Sequence, residues 1–478
     1  MLILACDLGT SSTRAALFDA RGERRRASTA QRAYPLLTGA DGRAELDPAR
    51  VLRAVVRCID HSHRAAGRAA ITAVGMSCFW HSMLGVDAQG RALTPILTWA
   101  DSRAAPDAAR LRERTAERTY HQRTGCMLRA TFWPAKLRYL RRTQPALLRQ
   151  VARWVSPAEW LLEQFTGLGR CAHGMGTATG LYDPSRLDWD PASLRLAGVR
   201  RKQLNPLGDE AMTLTPAYAR RWPRLAAARW FPGIGDGAAS NLGAGALGQG
   251  TAAINVGTSA AIRVVRERGA PCAPFGLFCY RIDQRRYLIG GAITNAGSLL
   301  AWCKAQLALP SARALEQALA RPLGATAGLL VAPLWMGERS PDWRMRPGGA
   351  ITGITQSTSA VDLVQAITTA SYQRLARVAG LIPGARGVRL IVGGGILASP
   401  ASLQRLSDCL GAALHPTEDP ELSLRGAAVL ALERCGATPR PPRTLPAVRP
   451  RPADVVALRA QRRRLAALDD LLLHLDPP

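Results

Sequence analysis

The chain opens Met1-Leu-Ile-Leu-Ala-Cys-Asp7-Leu-Gly9-Thr10-Ser11-Ser12-Thr-Arg14-Ala-Ala-Leu-Phe-Asp19, and the fold is decided by how this stretch is read. An apolar run reaches Asp7, the chain turns through Gly9 to Ser12, and a second apolar run from Ala15 to Phe18 leads away. The pattern predicts a β-hairpin with a hydroxyl-rich tip, where Gly9 permits the tight turn. Backbone N–H groups and the hydroxyls of Thr10, Ser11 and Ser12 suit such a tip to a phosphate group. Asp7, at the mouth, suits a Mg2+ ion held through water. A plain hairpin capped by small polar residues reads the same way, so this tip alone is not decisive.

A second copy favours the phosphate-binding reading over the plain hairpin. Residues 251–265 read Thr251-Ala-Ala-Ile-Asn255-Val-Gly257-Thr258-Ser259-Ala-Ala-Ile-Arg263-Val-Val265, again an apolar run, a Gly-Thr-Ser turn and an apolar run. Gly257, Thr258 and Ser259 fall on Gly9, Thr10 and Ser11, and Asn255 falls on Asp7. Two such hairpins in two halves imply a duplicated architecture with the phosphate chain of a nucleotide clamped between the tips.

At 478 residues the chain is too long for one core and suits two domains of roughly 200–250 residues each. No apolar run approaches the roughly 20 residues that cross a bilayer, and no basic leader precedes the first strand, so a cytoplasmic, membrane-free protein is expected. The ten cysteines are scattered without zinc-type spacing and read as reduced core residues. The formal charge is +28, and all but three of the 63 basic residues are arginine. They are spread along the whole chain without the dense blocks or aromatic interleaving of a nucleic-acid face, so no nucleic-acid partner is expected. Their field favours anionic small molecules.

Further candidates follow in chain order. Asp47-Pro48 opens a helical pattern (Val51, Leu52, Val55, Val56, Ile59). The strand-like run 70–78 delivers Phe79-Trp80-His81-Ser82 at its carboxyl end, where an open α/β sheet places ligands. Pro95-Ile-Leu-Thr-Trp99-Ala-Asp101-Ser-Arg103 carries an indole, a carboxylate and a guanidinium on alternate residues, which a strand would place on one face. Ser156-Pro-Ala-Glu159 reads as a capping box. Asp236 stands between Gly235 and Gly237 at a strand end, where a carboxylate approaches a substrate hydroxyl without bulky neighbours. In the second half, residues 287–302 read as strand, glycine turn and helix, with the helix N-terminus at Gly297 near the nucleotide. Residues 389–398, with Gly393-Gly394-Gly395 before Ala398, repeat that pattern and let a flat base lie on the backbone. Residues 436–452 form a Pro/Arg connector that cannot be helical. An amphipathic helix from Ala453 to His474 follows, with Val456, Leu458, Leu465, Leu468, Leu471 and Leu472 on its apolar face, expected to pack back on the body.

With these residues in hand, the chain resembles the FGGY carbohydrate kinases from Leu2 to about Glu433. The resemblance rests on Asp7 to Arg14, Trp99 to Arg103, Gly235-Asp236-Gly237-Ala, Val256-Gly-Thr-Ser259 and Gly393-Gly-Gly. It implies an α/β, actin-like fold of two ribonuclease H-like domains facing a central cleft: residues 1–245 on the sugar side, 246–435 on the ATP side, and 436–478 as connector and helix. It implies ATP and Mg2+ as partners in catalysis, Asp236 as the base, and Asp7 at the metal. Gly9, Thr10, Ser11 and Arg14 would then meet the transferred phosphoryl group, Gly257 and Thr258 the rest of the triphosphate, and Gly297, Gly394 and Ala398 the adenosine. Trp80, His81, Trp99, Asp101 and Arg103 would face the sugar. His81-Ser82, residues 93–101 and Ala178-Thr-Gly-Leu181 look most like gluconokinases, with xylulokinases the nearest competitor. Trp80 departs from the methionine usual in relatives. A gluconate carboxylate would call for a cation, for which Arg129 or Arg103 is the expectation. Relatives are often homodimers. The competing readings are a non-catalytic actin-like binding protein, which the presence of both Asp7 and Asp236 opposes, and a basic nucleic-acid binder.

Overall fold

The computed structural model describes residues 1–475 except 249, 324–327 and 386. The first half is built on a mixed sheet of β1 (Leu2–Leu8), β2 (Ser12–Asp19), β3 (Ala30–Ala33), β4 (Ala73–Cys78), β5 (Arg229–Trp230) and β6 (Ile234–Gly235). Its order is β5-β4-β1-β2-β3, with β6 also on β4. The second half is built on β7 (Thr251–Val256), β8 (Ala260–Arg266), β9 (Phe278–Arg281), β10 (Tyr287–Ile293), β11 (Arg389–Gly393) and β12 (Leu414–Pro416). Its order is β9-β10-β8-β7-β11-β12.

Apart from β9 on the outer edge, the sheets are the same object twice. In each, an antiparallel hairpin (β1–β2, β7–β8) takes a third antiparallel strand on one side and parallel strands on the other. Parallel neighbours cannot be joined by tight turns, so helical segments cross over between them. One is α1 (Pro48–Ala65), where Asp47 accepts from the N–H groups of Ala49 and Arg50 and Pro48 opens the helix. Its Val51, Val55, Cys58 and Ile59 are buried. Others that bear on the site are α2 (Trp133–Thr143), α3 (Asp236–Gly243), α4 (Gly297–Gln306), α5 (Ala360–Leu381) and α6 (Leu422–Arg434).

The halves are stitched by α6, which follows the second sheet in sequence yet packs on β1 and β4 of the first and across α3. A Cβ on Gly426 would stand 1.7 Å from the Ala239 carbonyl oxygen, and one on Gly243 would stand 1.9 Å from that of Leu422. The crossing therefore requires glycine on both helices. It fixes Asp236, the first residue of α3, against both halves.

The connector runs along the outer edge of the second sheet, bridging Leu414 to Val448 and Thr417 to Thr444, and so covers β12. The final helix α7 (Pro452–Leu475) packs back: Leu458 joins the second half's core, and Leu465, Leu468 and Leu472 pack on residues 330–334. Arg374 pairs with Asp469 to hold it there. Val456 and Leu471 lie outside the buried stripe, at 68% and 57% exposure, so the apolar face is narrower than the sequence suggests. The His474 side chain lies outside the described residues. No helix among the described residues is long and apolar enough to cross a membrane.

Candidate active site

The two hairpin tips are held differently. In the first, the Gly9 N–H donates to the Ser12 carbonyl at 2.9 Å, and the Tyr34 hydroxyl donates to the Gly9 carbonyl at 2.6 Å, leaving Thr10 and exposed Ser11 at the apex. Asp7 and Arg14 are cross-strand partners. The Arg14 Nη1 lies 3.9 Å from Asp7 Oδ2 and 3.4 Å from Oε2 of Glu421, just ahead of α6, while its buried Nε has no partner. Burial pushes the Asp7 carboxyl up to about 7, with Asp236 nearby adding to the rise.

In the second tip, Gly257 and Thr258 are exposed and the Gly257 N–H donates to the Ser259 carbonyl at 2.9 Å. Their carbonyls accept from the N–H groups of Gly297 (3.0 Å) and Ser298 (3.1 Å). This corrects the expectation for Gly297: the first amides of α4 are spent on the tip, so the helix braces the hairpin and does not itself offer those donors to a nucleotide. Gly394 (φ +93°) lies against Asn255 and the Val256 carbonyl, and Ala398 is exposed at the end of the short turn 395–398.

Asp236 follows directly from β6, whose Gly235 pairs with Cys78 at the carboxyl end of β4. Its Oδ1 accepts from the Gly237 N–H at 2.7 Å. Burial raises its pKa, opposed by Arg263, by that N–H and by Arg339. Trp80 lies flat behind it: a Cβ on Gly235 would fall 1.7 Å from the indole Cε2, and one on Gly237 2.5 Å from Cζ3. The indole is buried and its N–H donates to the Gly174 carbonyl at 2.8 Å. Trp80 is thus a wall supporting the Asp236 backbone rather than the sugar ligand expected.

His81 has a left-handed backbone (φ +64°) that turns its ring between Phe132 and Tyr280, with centroids at 4.8 and 5.8 Å. Its Nδ1 lies 2.7 Å from the Ala178 carbonyl, which can only accept, so Nδ1 carries the proton. Burial pushes the ring down to about 3, leaving it neutral with Nε2 as an acceptor. Trp99 is half-buried, and the Arg339 guanidinium stacks 5.5 Å from its ring centroid.

Asp101 and Arg103 do not share a face with Trp99. The strand ends at Leu97, and the Asp101 N–H closes a turn onto the Thr98 carbonyl. Arg103 turns away to pair with Asp101 and Glu45, and Asp101 also accepts from the Ala44 N–H at 3.1 Å. Both charges are spent in this triad, of which Asp101 is buried and Arg103 and Glu45 are half-buried. Arg129 is likewise committed, to Glu117 and the Leu128 carbonyl. Neither arginine expected to meet a carboxylate has charge to spare.

Three side chains were overlooked in the sequence. Lys136 on α2 is fully buried, and its Nζ donates to the carbonyls of Thr98 (2.7 Å), His81 (3.0 Å) and Leu97 (3.4 Å), joining both ligand-facing segments. The charges of Arg263 on β8 and of Arg339, in the loop after residues 330–332, both act on Asp236. A charge inside the apolar run Ala260-Ala-Ile-Arg263-Val-Val was the available signal. Among the described residues no three His, Cys, Asp or Glu side chains are grouped to hold a metal. Asp7 alone suits Mg2+, which keeps its waters and takes one or two carboxylates together with phosphate oxygens.

Two family models match in tandem: the FGGY family of carbohydrate kinases, N-terminal domain, over residues 2–223, and its C-terminal domain over 252–433. A gluconokinase of Bacillus subtilis is 26% identical over 455 residues, covering 91% of this chain and 88% of that protein. A glycerol kinase of Methylobacterium nodulans is 28% identical over 467 residues, covering 92% and 91%. Crystal structures of a xylulose kinase and a gluconate kinase from Lactobacillus acidophilus superpose with a TM-score of 0.91, each over 98% of both chains at 22% identity. The duplicated sheets, the paired hydroxyl-rich tips and the matched family models agree: this chain belongs to the FGGY family of carbohydrate kinases.

Proposed function

We propose that this kinase transfers the terminal phosphoryl group of ATP to a primary hydroxyl of D-gluconate, giving 6-phosphogluconate, with Asp236 as general base. The observation that carries the reading is the position of Asp236: at a strand end, between the halves, its basicity raised by burial and its ionised form kept available by Arg263 and the Gly237 N–H. A base of that kind is matched to a proton that leaves only as the new bond forms. The substrate O–H proton passes to Asp236, the oxygen bonds to phosphorus in line, and the bond from phosphorus to the departing ADP oxygen breaks. Such a transfer demands positioning and charge neutralisation more than covalent help.

Arg14, whose buried Nε has no partner, fits the transferred group, and the exposed tip at Gly257 and Thr258 fits the remaining phosphates. Mg2+ bound through water at Asp7 would neutralise charge on the phosphate oxygens. Gly394 and Ala398 border the adenosine side. His81 Nε2 accepts from a sugar hydroxyl, and Trp99 offers its ring to the carbon chain. The ten free cysteines, nine of them at least partly buried, suit a reducing cytoplasm.

The test is ADP release over a panel of D-gluconate, D-xylulose, L-ribulose and glycerol, with the product identified by mass spectrometry. Gluconate is expected to give the highest kcat/KM and a 6-phosphate. A higher kcat/KM for xylulose or glycerol would overturn the substrate assignment.

A further inference from the structure

Arg263 and Arg339 stand apart from the other arginines near the cleft. Of the other arginines near the cleft, Arg103 and Arg129 are ion-paired, and Arg281 donates to the carbonyls of Pro184 and Gln284. Arg263 leaves Nε and Nη1 buried without a hydrogen-bond partner, and Arg339 leaves Nε in the same state. Among the described residues neither forms an ion pair. Arg339 has one polar contact, Nη2 to the Ile293 carbonyl at 3.1 Å. A buried donor without an acceptor is costly, and a buried cation without an anion more so.

The surroundings show which anion is missing. The two guanidinia repel each other: burial, then Arg263, pushes Arg339 down to about 10. Asp236 is the carboxylate that both feel, so two cations share one anion. They lie on the aromatic side of the cleft: Arg339 stacks on Trp99, Arg263 lies 6.0 Å from the Phe278 centroid, and the field of Arg339 reaches His81 and Tyr280. The first hairpin has its own cation in Arg14, 3.9 Å from Asp7. With aromatic rings around them rather than a hairpin tip, the two guanidinia suit the sugar end of the cleft better than the nucleotide.

We propose that Arg263 and Arg339 form a carboxylate cradle that makes this enzyme selective for sugar acids over neutral sugars and polyols. This rests on the kinase reading above and gives it a determinant that neither Arg103 nor Arg129 supplies. Guanidinium and carboxylate are matched in geometry, so the acid restores the missing acceptors as well as the missing charge. Both arginines belong to the second half, whereas Asp236, His81 and Trp99 belong to the first. A sugar acid is thus gripped from both halves at once.

The experiment compares kcat/KM for D-gluconate and D-xylonate with that for D-xylulose and glycerol in wild type, Arg263→Gln, Arg339→Gln and Arg339→Lys. Folding is checked by the thermal shift on adding ATP. The acid-to-neutral ratio is expected to fall about 10- to 100-fold in each Gln variant, chiefly through KM, as loss of a charge-assisted bond predicts. Arg339→Lys, which keeps the charge, should recover part of the ratio, whereas a merely structural role would depress both substrate classes alike. A ratio unchanged within about threefold in variants that still respond to ATP would overturn the cradle while leaving gluconate phosphorylation standing. Turnover of xylonate but not gluconate, lost in the variants, would sustain the cradle and overturn the gluconate assignment. A wild type that takes only neutral substrates would overturn both. Should the Gln variants not fold, a fall of the ratio in Arg339→Lys by more than about threefold supports the cradle, and a ratio within about threefold of wild type contradicts it.

Discussion

Placing an alanine at Gly235 tests the contact that holds the base. The added Cβ would lie 1.7 Å from Trp80 Cε2 and 1.8 Å from its Nε1, so either the indole or the strand must move. The indole has little freedom, because its N–H is bonded to Gly174 and its ring meets Tyr280 edge-on at a centroid distance of 5.1 Å. Overpacking of this kind costs about 1–3 kcal/mol, and here the upper end is expected because strand and ring are both buried. Trp80→Ala alone should cost about 3–5 kcal/mol for the cavity. It should cost about 1 kcal/mol more for the Gly174 carbonyl left without its donor. In the double variant the new methyl group enters the space the indole vacated. The two costs should then fall short of additivity by about 1–3 kcal/mol. Urea unfolding of the four proteins measures this directly. Since Asp236 is the next residue, Gly235→Ala should also lower kcat on the order of 100-fold through displacement of the carboxylate. A Gly235→Ala protein within about 0.5 kcal/mol of wild type, with costs that simply add, would refute the packing argument.

Two other predictions concern residues around the pocket. Arg103→Leu leaves Asp101 and Glu45 facing each other without a cation, and should cost about 3–5 kcal/mol in urea unfolding. Its folded fraction should keep the wild-type KM for the sugar, and a large KM change would restore Arg103 to the binding site. Burial pushes Lys136 down to about 7, so the folded protein holds this proton less firmly than the unfolded chain. The stability of wild type relative to Lys136→Met should therefore climb with pH, by up to about 1.4 kcal/mol per unit, between pH 7 and the ordinary lysine range. A difference that stays flat with pH would contradict the burial of a titrating amine.

What was legible in the sequence was local. The two tips could be read because a Gly-Thr-Ser turn between apolar runs specifies a hairpin by itself, and its recurrence at Gly257 specified the duplication. Asp47-Pro48 and Ser156 with Glu159 declared helix starts through capping that needs no distant partner, and both caps are formed. Failures came where distant segments decide. Period-two spacing predicts a strand from Pro95 to Arg103, but the strand stops at Leu97 and a turn at Thr98 lets Arg103 pair with Asp101 and Glu45. Trp80 reads as a sugar neighbour because nothing local reveals that Gly235 and Gly237, over 150 positions away, leave room for its ring. The helix N-terminus at Gly297 reads as open to a nucleotide because the acceptors of its first amides, Gly257 and Thr258, lie forty residues earlier. In a chain with 60 arginines, nothing local marks Arg263 and Arg339, since their lack of an ion pair beside Asp236 is set by how the two halves meet.

The most direct test of the account is gluconate-dependent ADP release by wild type and Asp236→Asn, with ATP affinity measured on both. Loss of a positioned base predicts a fall in kcat of about 100- to 10,000-fold with ATP affinity unchanged. Wild-type turnover in Asp236→Asn would contradict the assignment of Asp236, and with it the reading of the cleft built around that residue.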